Sequence, residues 1–221
     1  MRLFIAFEKT FALRHIGHLD LLRAAQRALR RSGLPVAYSH GFNPHMLIAF
    51  ASPLPVGQSG REELAEVTLE RETDAKECLS ALKRAMPRDL PPVKARAVGD
   101  EHPKLMAMLR TASYMIRVDG APGLAAAVPR FLARAEIPAI RVSKSGSVGV
   151  DIRPMLHELK YVEPLSAFFA RVSFTERETL KPDLLMRSLA EYAGEPEPDT
   201  LIERLRLFGE RNGEPAPLMD C

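Results

Sequence analysis

Short apolar runs alternate with amphipathic helical stretches along this chain, and their order limits the folds open to it. Leu3–Phe7 is almost wholly apolar, as a strand covered on both faces is. His18–Arg31 follows, with Leu19, Leu22, Ala25 and Leu29 at three- and four-residue spacing, and Gly33 and Pro35 end the helix this predicts. Val36–Ser39 and Met46–Ala51 read as short strands around an irregular loop. After a Pro/Gly/Ser segment, 52–60, the stretch Leu64–Glu70 sets Ala65, Val67 and Leu69 against Glu66, Thr68 and Glu70, the alternation of a strand. Asp74–Ala85 predicts a second helix, with Asp74 and Glu77 at capping-box spacing, and Val93–Val98 a closing strand.

The second half repeats the order without sharing much sequence. Tyr114–Val118 reads as a strand, Gly123–Ala135 as a helix, and Ala139–Val142 and Val148–Ile152 as a hairpin turning at Lys144–Ser147. Phe168–Phe174 is a further strand. Pro182–Ala193 is a helix with proline in its first turn and Gly194 just past its end, and Leu201–Leu207 is the last strand. A βαββαβ order is the ferredoxin-like arrangement. The expected fold is therefore α+β: two tandem ferredoxin-like domains, 1–98 and 113–221, with antiparallel sheets and helices on one face. Residues 99–112 connect them, and Leu105, Met106, Met108 and Leu109 predict a short packed helix there. The alternative is one interrupted α+β domain. The C-terminal stretch around Gly213–Pro217 is expected to be mobile.

Composition narrows the class. At 221 residues, 46% hydrophobic and 27% charged, the chain has the make-up of a soluble globular protein. No run of about 18 apolar residues appears, so no membrane span is expected, and the location expected is cytoplasmic. Cys78 and Cys221 stand far apart, without the three-cysteine pattern that holds a radical-SAM cluster. The Walker loop, the dinucleotide-binding glycine turn, the nucleophile elbow and the His-Glu-x-x-His motif are all missing from the sequence.

Three segments carry candidate chemistry. Ser39-His40-Gly41-Phe42-Asn43-Pro44-His45 packs two imidazoles, a hydroxyl, an amide and an aromatic ring into a loop whose Gly, Asn and Pro set its shape. Such a set suits an unpaired base or a phosphate, while the structural alternative has Phe42 plugging a core. His18 and Asp20 fall at the start of the first helix, where unpaired N–H groups favour anions, and they either brace that helix or join His40 and His45 in an acid–base site. No carboxylate or thiolate stands at a spacing that would complete a metal site, so no metal is expected. Arg23, Arg27, Arg30 and Arg31 form a basic stripe opposite Leu22, Ala25 and Leu29, fit for phosphate or an acidic surface. Lys144 and Arg153 add positive charge around the glycine hairpin, where Asp151 and Arg153 would share a strand face as an ion pair.

These residues also carry a resemblance. Gly17-His18-Leu19-Asp20-Leu21, Arg27, Arg30-Arg31, Leu34-Pro35, Tyr38-Ser39, Gly41-Phe42-Asn43-Pro44-His45, Pro53-Leu54-Pro55-Val56-Gly57, Asp151-Ile152-Arg153-Pro154 and Lys181-Pro182 together resemble the bacterial radical-SAM-linked proteins. Met46 departs from the pattern, which has proline there. The resemblance implies a bacterial protein encoded beside, or fused to, a radical-SAM enzyme of the cobalamin type. It implies no catalytic residues. The iron-sulfur cluster, S-adenosylmethionine and cobalamin are expected on the partner, with no cofactor in this chain, and the implied substrate is RNA or a ribosomal component. The expectation is an accessory module without radical chemistry of its own, holding RNA or another phosphate-bearing substrate with Arg23, Arg27, Arg30, Arg31, Ser39, Phe42, Asn43, Lys144 and Arg153. An RNA-processing or metal-assisted enzyme built on His18, Asp20, His40 and His45 is the second hypothesis. A purely protein-binding adaptor is the third.

Overall fold

A computed structural model describes residues 1–119, 122–143, 146–175 and 177–221. The fold class is α+β with mostly antiparallel strands, and the chain divides into two units, Met1–Leu109 with Arg206–Cys221, and Arg110–Leu205.

The first unit begins with strand β1 (Arg2–Lys9), helix α1 (His18–Ser32), a short β2 (Ile48–Phe50) and β3 (Ser59–Thr68). Helix α2 (Ala75–Ala85), β4 (Pro92–Val98) and the single-turn α3 (Leu105–Met108) follow. Antiparallel pairing of β1 with β3 and β4, and of β2 with β3, gives the order β4-β1-β3-β2. Leu3, Ile5 and Phe7 point to the helices, where Leu21 and Leu29 of α1 and Cys78 and Leu82 of α2 close the core over them. Local chemistry sets the helix ends as the sequence predicts. The Asp74 carboxylate accepts from the N–H groups of Lys76 and Glu77 at 3.1 and 3.2 Å, and Gly33 ends α1 in the left-handed region at φ 73°.

The opposite face of β1 is covered too. Cross-strand pairing puts Glu66, Phe4 and Arg96 in one row. The Phe4 ring meets His102 edge-on at 5.3 Å, and the Leu105 N–H donates to the buried Glu66 carboxylate at 2.9 Å. Arg96 donates to the carbonyls of Met219 and Cys221 at 3.0 and 2.6 Å, and neighbouring Lys94 pairs with Asp220. The stretch expected to be a mobile tail is therefore ordered. Strand β11 (Glu214–Pro217) pairs with the end of β10 (Thr200–Arg211), and Leu218 and Met219 are buried in the turn that follows.

The second unit contains β5 (Thr111–Val118), α4 (Pro122–Leu132), β6 (Pro138–Ser143), β7 (Gly146–Asp151), β8 (Leu156–Val162), β9 (Ala167–Ser173) and α5 (Pro182–Ala193). Its strands run in the order β10-β5-β9-β8, while β6 and β7 form a separate two-stranded ribbon. The two runs expected as strands of the main sheet, Ala139–Val142 and Val148–Ile152, are this ribbon. The place beside β9 belongs to Leu156–Val162, a strand that the sequence pattern does not predict. A register shift between Leu156 and Glu158 explains the omission, because a bulge breaks the period-two alternation that marks a strand. Gly194 ends α5 at φ 71°, and α4 and α5 pack against each other.

If the C-terminal turn is part of the first core, truncating it acts like any core truncation. Met219→Ala is expected to lower unfolding free energy by about 2–5 kcal/mol, the usual cost of removing a buried long side chain. Urea unfolding followed by circular dichroism measures this, and a change below about 0.5 kcal/mol, typical of surface positions, would contradict the packing.

Candidate functional site

The start of α1 is held by Lys9, which the motif pattern does not single out. Lys9 closes β1 and is 1% exposed. Its ammonium donates to the carbonyls of Arg14, Ile16 and Gln58 at 3.2, 3.3 and 3.2 Å. The Arg14 carbonyl also accepts from the Gly57 N–H at 2.7 Å, so one buried cation ties the 10–17 turn to the 52–58 loop. A lysine ending an otherwise apolar run was the available signal, since a charge in that setting must be heavily hydrogen-bonded if it is buried. Beyond this turn, Arg14 lies over the Phe11 ring at 3.8 Å. The His18 ring meets Phe50 edge-on at 5.5 Å with its Nδ1 buried and unpartnered, and Asp20 pairs with Arg23 at 3.0 Å in solvent. Asp20 sits in the first helical turn, where it favours the helix electrostatically.

The 39–45 loop has a braced stem and a bare tip. Ser39 N–H donates to the His45 carbonyl at 2.8 Å, and His45 N–H donates back to Ser39 Oγ at 3.1 Å. The same hydroxyl lies 2.8 Å from His45 Nδ1, so Ser39 and His45 lock the stem. Gly41 turns the tip at φ 122°, a conformation that side chains oppose. His40, Phe42 and Asn43 are exposed, and the Phe42 ring stands entirely in solvent. The alternative in which Phe42 fills a core is therefore not what the chain does.

The structure does not bring His18, Asp20, His40 and His45 together. Phe50, on which His18 rests, pairs with Ala65 of β3, whereas the loop stem follows Val36, which is bridged to Leu69, four residues further along that chain. Helix α1 then separates the two ends further, since Gly33–Pro35 lead from its last turn to Val36, bridged to Leu69, and on to the loop stem at Tyr38 and Met46. Among the described residues no group of three or more His, Cys, Asp or Glu side chains is placed to hold a metal. An acid–base site built on these four residues thus lacks its geometry.

The basic stripe divides. Arg23 is engaged by Asp20, and Arg31 donates to the Ala85 carbonyl at 2.7 Å. Arg27 and Arg30 are exposed on the second half of α1, the half that leads to the 39–45 loop. In the second unit, Arg153 lies past the end of β7, where its guanidinium donates to the Leu156 carbonyl at 3.1 Å. The expected ion pair with Asp151 is replaced by backbone bonds: the Asp151 carboxylate accepts from the N–H groups of Ile137 and Arg153 at 2.8 and 2.9 Å. Those bonds, Arg153 N–H first, hold the Asp151 carboxyl below its ordinary range. Lys144 lies outside the described residues.

A family model described as an uncharacterized protein conserved in bacteria, DUF2344, matches residues 2–182. The chain belongs to the DUF2344 family. The match spans the Gly17–Leu21 turn, the 39–45 loop and the Asp151–Pro154 segment, and it bears out the expected bacterial family. No curated protein matches the chain. No helix among the described residues is long and apolar enough to cross a membrane.

Two outcomes follow for this family member. Lys9→Met removes the donor shared by the Arg14, Ile16 and Gln58 carbonyls and is expected to cost on the order of 3 kcal/mol in urea unfolding, where a surface lysine would cost almost nothing. Asp151 gives a pH signature. Its folded pKa is depressed, so its stabilisation is complete above the unfolded value near about 3.9 and is lost as pH falls through the lower folded value. Asp151→Asn should therefore show a smaller fall in stability below about pH 4 than the parent chain, and identical acid curves would refute the assignment.

Proposed function

We propose that this protein is an accessory binding module that holds RNA, or another phosphate-bearing substrate, for a radical-SAM enzyme partner. The observation that carries the reading is Phe42, a large aromatic ring held in solvent at the tip of a loop with a locked stem. An exposed ring on a fixed loop is a stacking platform for unpaired bases. Arg27 and Arg30 supply phosphate contacts on the helix that leads to this loop, and Asn43 supplies an amide for a base edge. The iron-sulfur cluster, S-adenosylmethionine and cobalamin belong, in this reading, to the partner.

The strand orders support a ferredoxin-like reading of each unit. Both β4-β1-β3-β2 and β10-β5-β9-β8 follow the spatial order of a split βαβ pair, the second with the β6–β7 ribbon inserted before β8. Many RNA-binding proteins of this build stack bases on the open sheet face. In the first unit that face is covered by residues 99–109 and the C-terminal turn, which moves the binding surface to α1 and the 39–45 loop.

Fluorescence anisotropy with labelled fragments of total bacterial RNA tests this across a salt series. Arg27→Ala with Arg30→Ala should flatten the slope of log K against log salt by about 1.4, at about 0.7 per lost single-strand phosphate contact. Phe42→Ala should weaken binding by about 1–3 kcal/mol with the slope intact, as loss of one stacked base does. Affinity and slope that stay at parental values in both variants would overturn the reading.

A further inference from the structure

The second unit carries a groove of its own, whereas the surface proposed for RNA belongs to the first. The β6–β7 ribbon forms one wall with Ile140, Val142 and Gly149, Leu184 and Ser188 of α5 form the other, and the groove encloses about 680 Å³. Ile140 and Val142 are 63% and 67% exposed, and Gly149 stands opposite Ile140 without a side chain to cover it. Among the described residues the ribbon pairs with no further strand, so its edges present backbone donors and acceptors. Among the described lining residues the charge is mostly acidic. Glu136, Asp151 and Glu191 border the groove, and the cation among them, Arg187, is paired with Glu197 at 3.2 Å. A negative rim in a chain of net charge +3 repels a phosphate backbone and selects a cationic partner.

We propose that this groove docks a protein partner through an extended segment laid along the ribbon, with alternate apolar residues flanked by lysine or arginine. Free strand edges take up such a segment by backbone hydrogen bonding, and side-chain pockets set the specificity. The spacing fits. Ile140 and Val142 are two residues apart on one strand, so every second side chain of an added strand meets the apolar wall. From Pro138 to Val142 the ribbon runs about 13 Å, the length of five extended residues.

The test is selection of a displayed library of random nine-residue peptides against the full chain, followed by titration of the enriched peptides. They are expected to carry apolar residues at alternate positions and net positive charge. Ile140→Asn with Val142→Asn, at positions already in solvent, should weaken them about tenfold or more, equivalent to about 1.4 kcal/mol. Glu136→Gln with Glu191→Gln should weaken them about threefold at low salt and less at high salt. Absence of enrichment, enrichment of acidic or uncharged peptides, or indifference to the Ile140 and Val142 changes would overturn the proposal. So would dimerisation in analytical ultracentrifugation that those two changes abolish, because it would give the groove to a second copy of this chain. RNA binding is read separately, so failure here leaves the RNA reading standing.

Discussion

Burial of β1 on both faces governs the first unit. A strand with Leu3, Ile5 and Phe7 on one side and Phe4 and Ala6 on the other needs cover twice. Helices α1 and α2 provide one layer. The second comes from residues 99–109 and from the last residues of the chain, fastened by Glu66 and Arg96, charged groups that accept or donate on the covered face. Arg2 Nη2 donates to the carbonyls of Gly99 and Asp100, while its buried Nη1 has no hydrogen-bond partner and faces the Glu66 carboxylate at 3.6 Å, so the opposite charge compensates it. Buried charges are tolerated only under such satisfaction. With this face of the first unit's sheet covered, the surfaces left for the proposed binding role are the helix face and the loops.

Those loops are not equivalent. The 10–17 and 52–58 segments converge on the Lys9 ammonium, and that end of the unit is organised from the inside. The 39–45 loop is organised only at its stem, by Ser39 and His45, and its tip offers Phe42 and Asn43 to solvent. A hydrophobic ring in water gains nothing for folding, since it forgoes the transfer free energy that burial would give. Its cost is understandable if something else covers it. The same reasoning applies to Ile140 and Val142 on the β6–β7 ribbon, where Glu136, Asp151 and Glu191 border the groove.

Much of the framework was legible in the sequence because its signals are local. Helix α5 begins and ends where Pro182 and Gly194 place it, and α2 starts at the Asp74 cap. Strand β8 was hidden by its bulge, and the β6–β7 pair was read as a hairpin without its separation from the main sheet, because only long-range pairing decides that. For the site, the sequence marked the 39–45 loop and the arginine helix but not their division of labour. Ser39 and His45 bond each other across the loop stem, and Arg23 and Arg31 are engaged within the chain. Lys9 has no motif around it because the carbonyls it bonds leave no pattern in side-chain identity. The proposed joint action of His18 and Asp20 with His40 and His45 failed for a related reason, since closeness across a fold is set by register and helix length, not by motif.

The central claim is that RNA, excluded from the closed sheet, meets this protein at the exposed loop and the second half of α1. Ultraviolet crosslinking of a bound oligouridine, with the linked peptides identified by mass spectrometry, tests it most directly. Crosslinks at Phe42 and on the peptides carrying Arg27 and Arg30 are the predicted result. Crosslinks concentrated on Phe4, His102 or the Leu218–Asp220 turn would mean that the cover opens and the sheet itself binds, and would contradict the account.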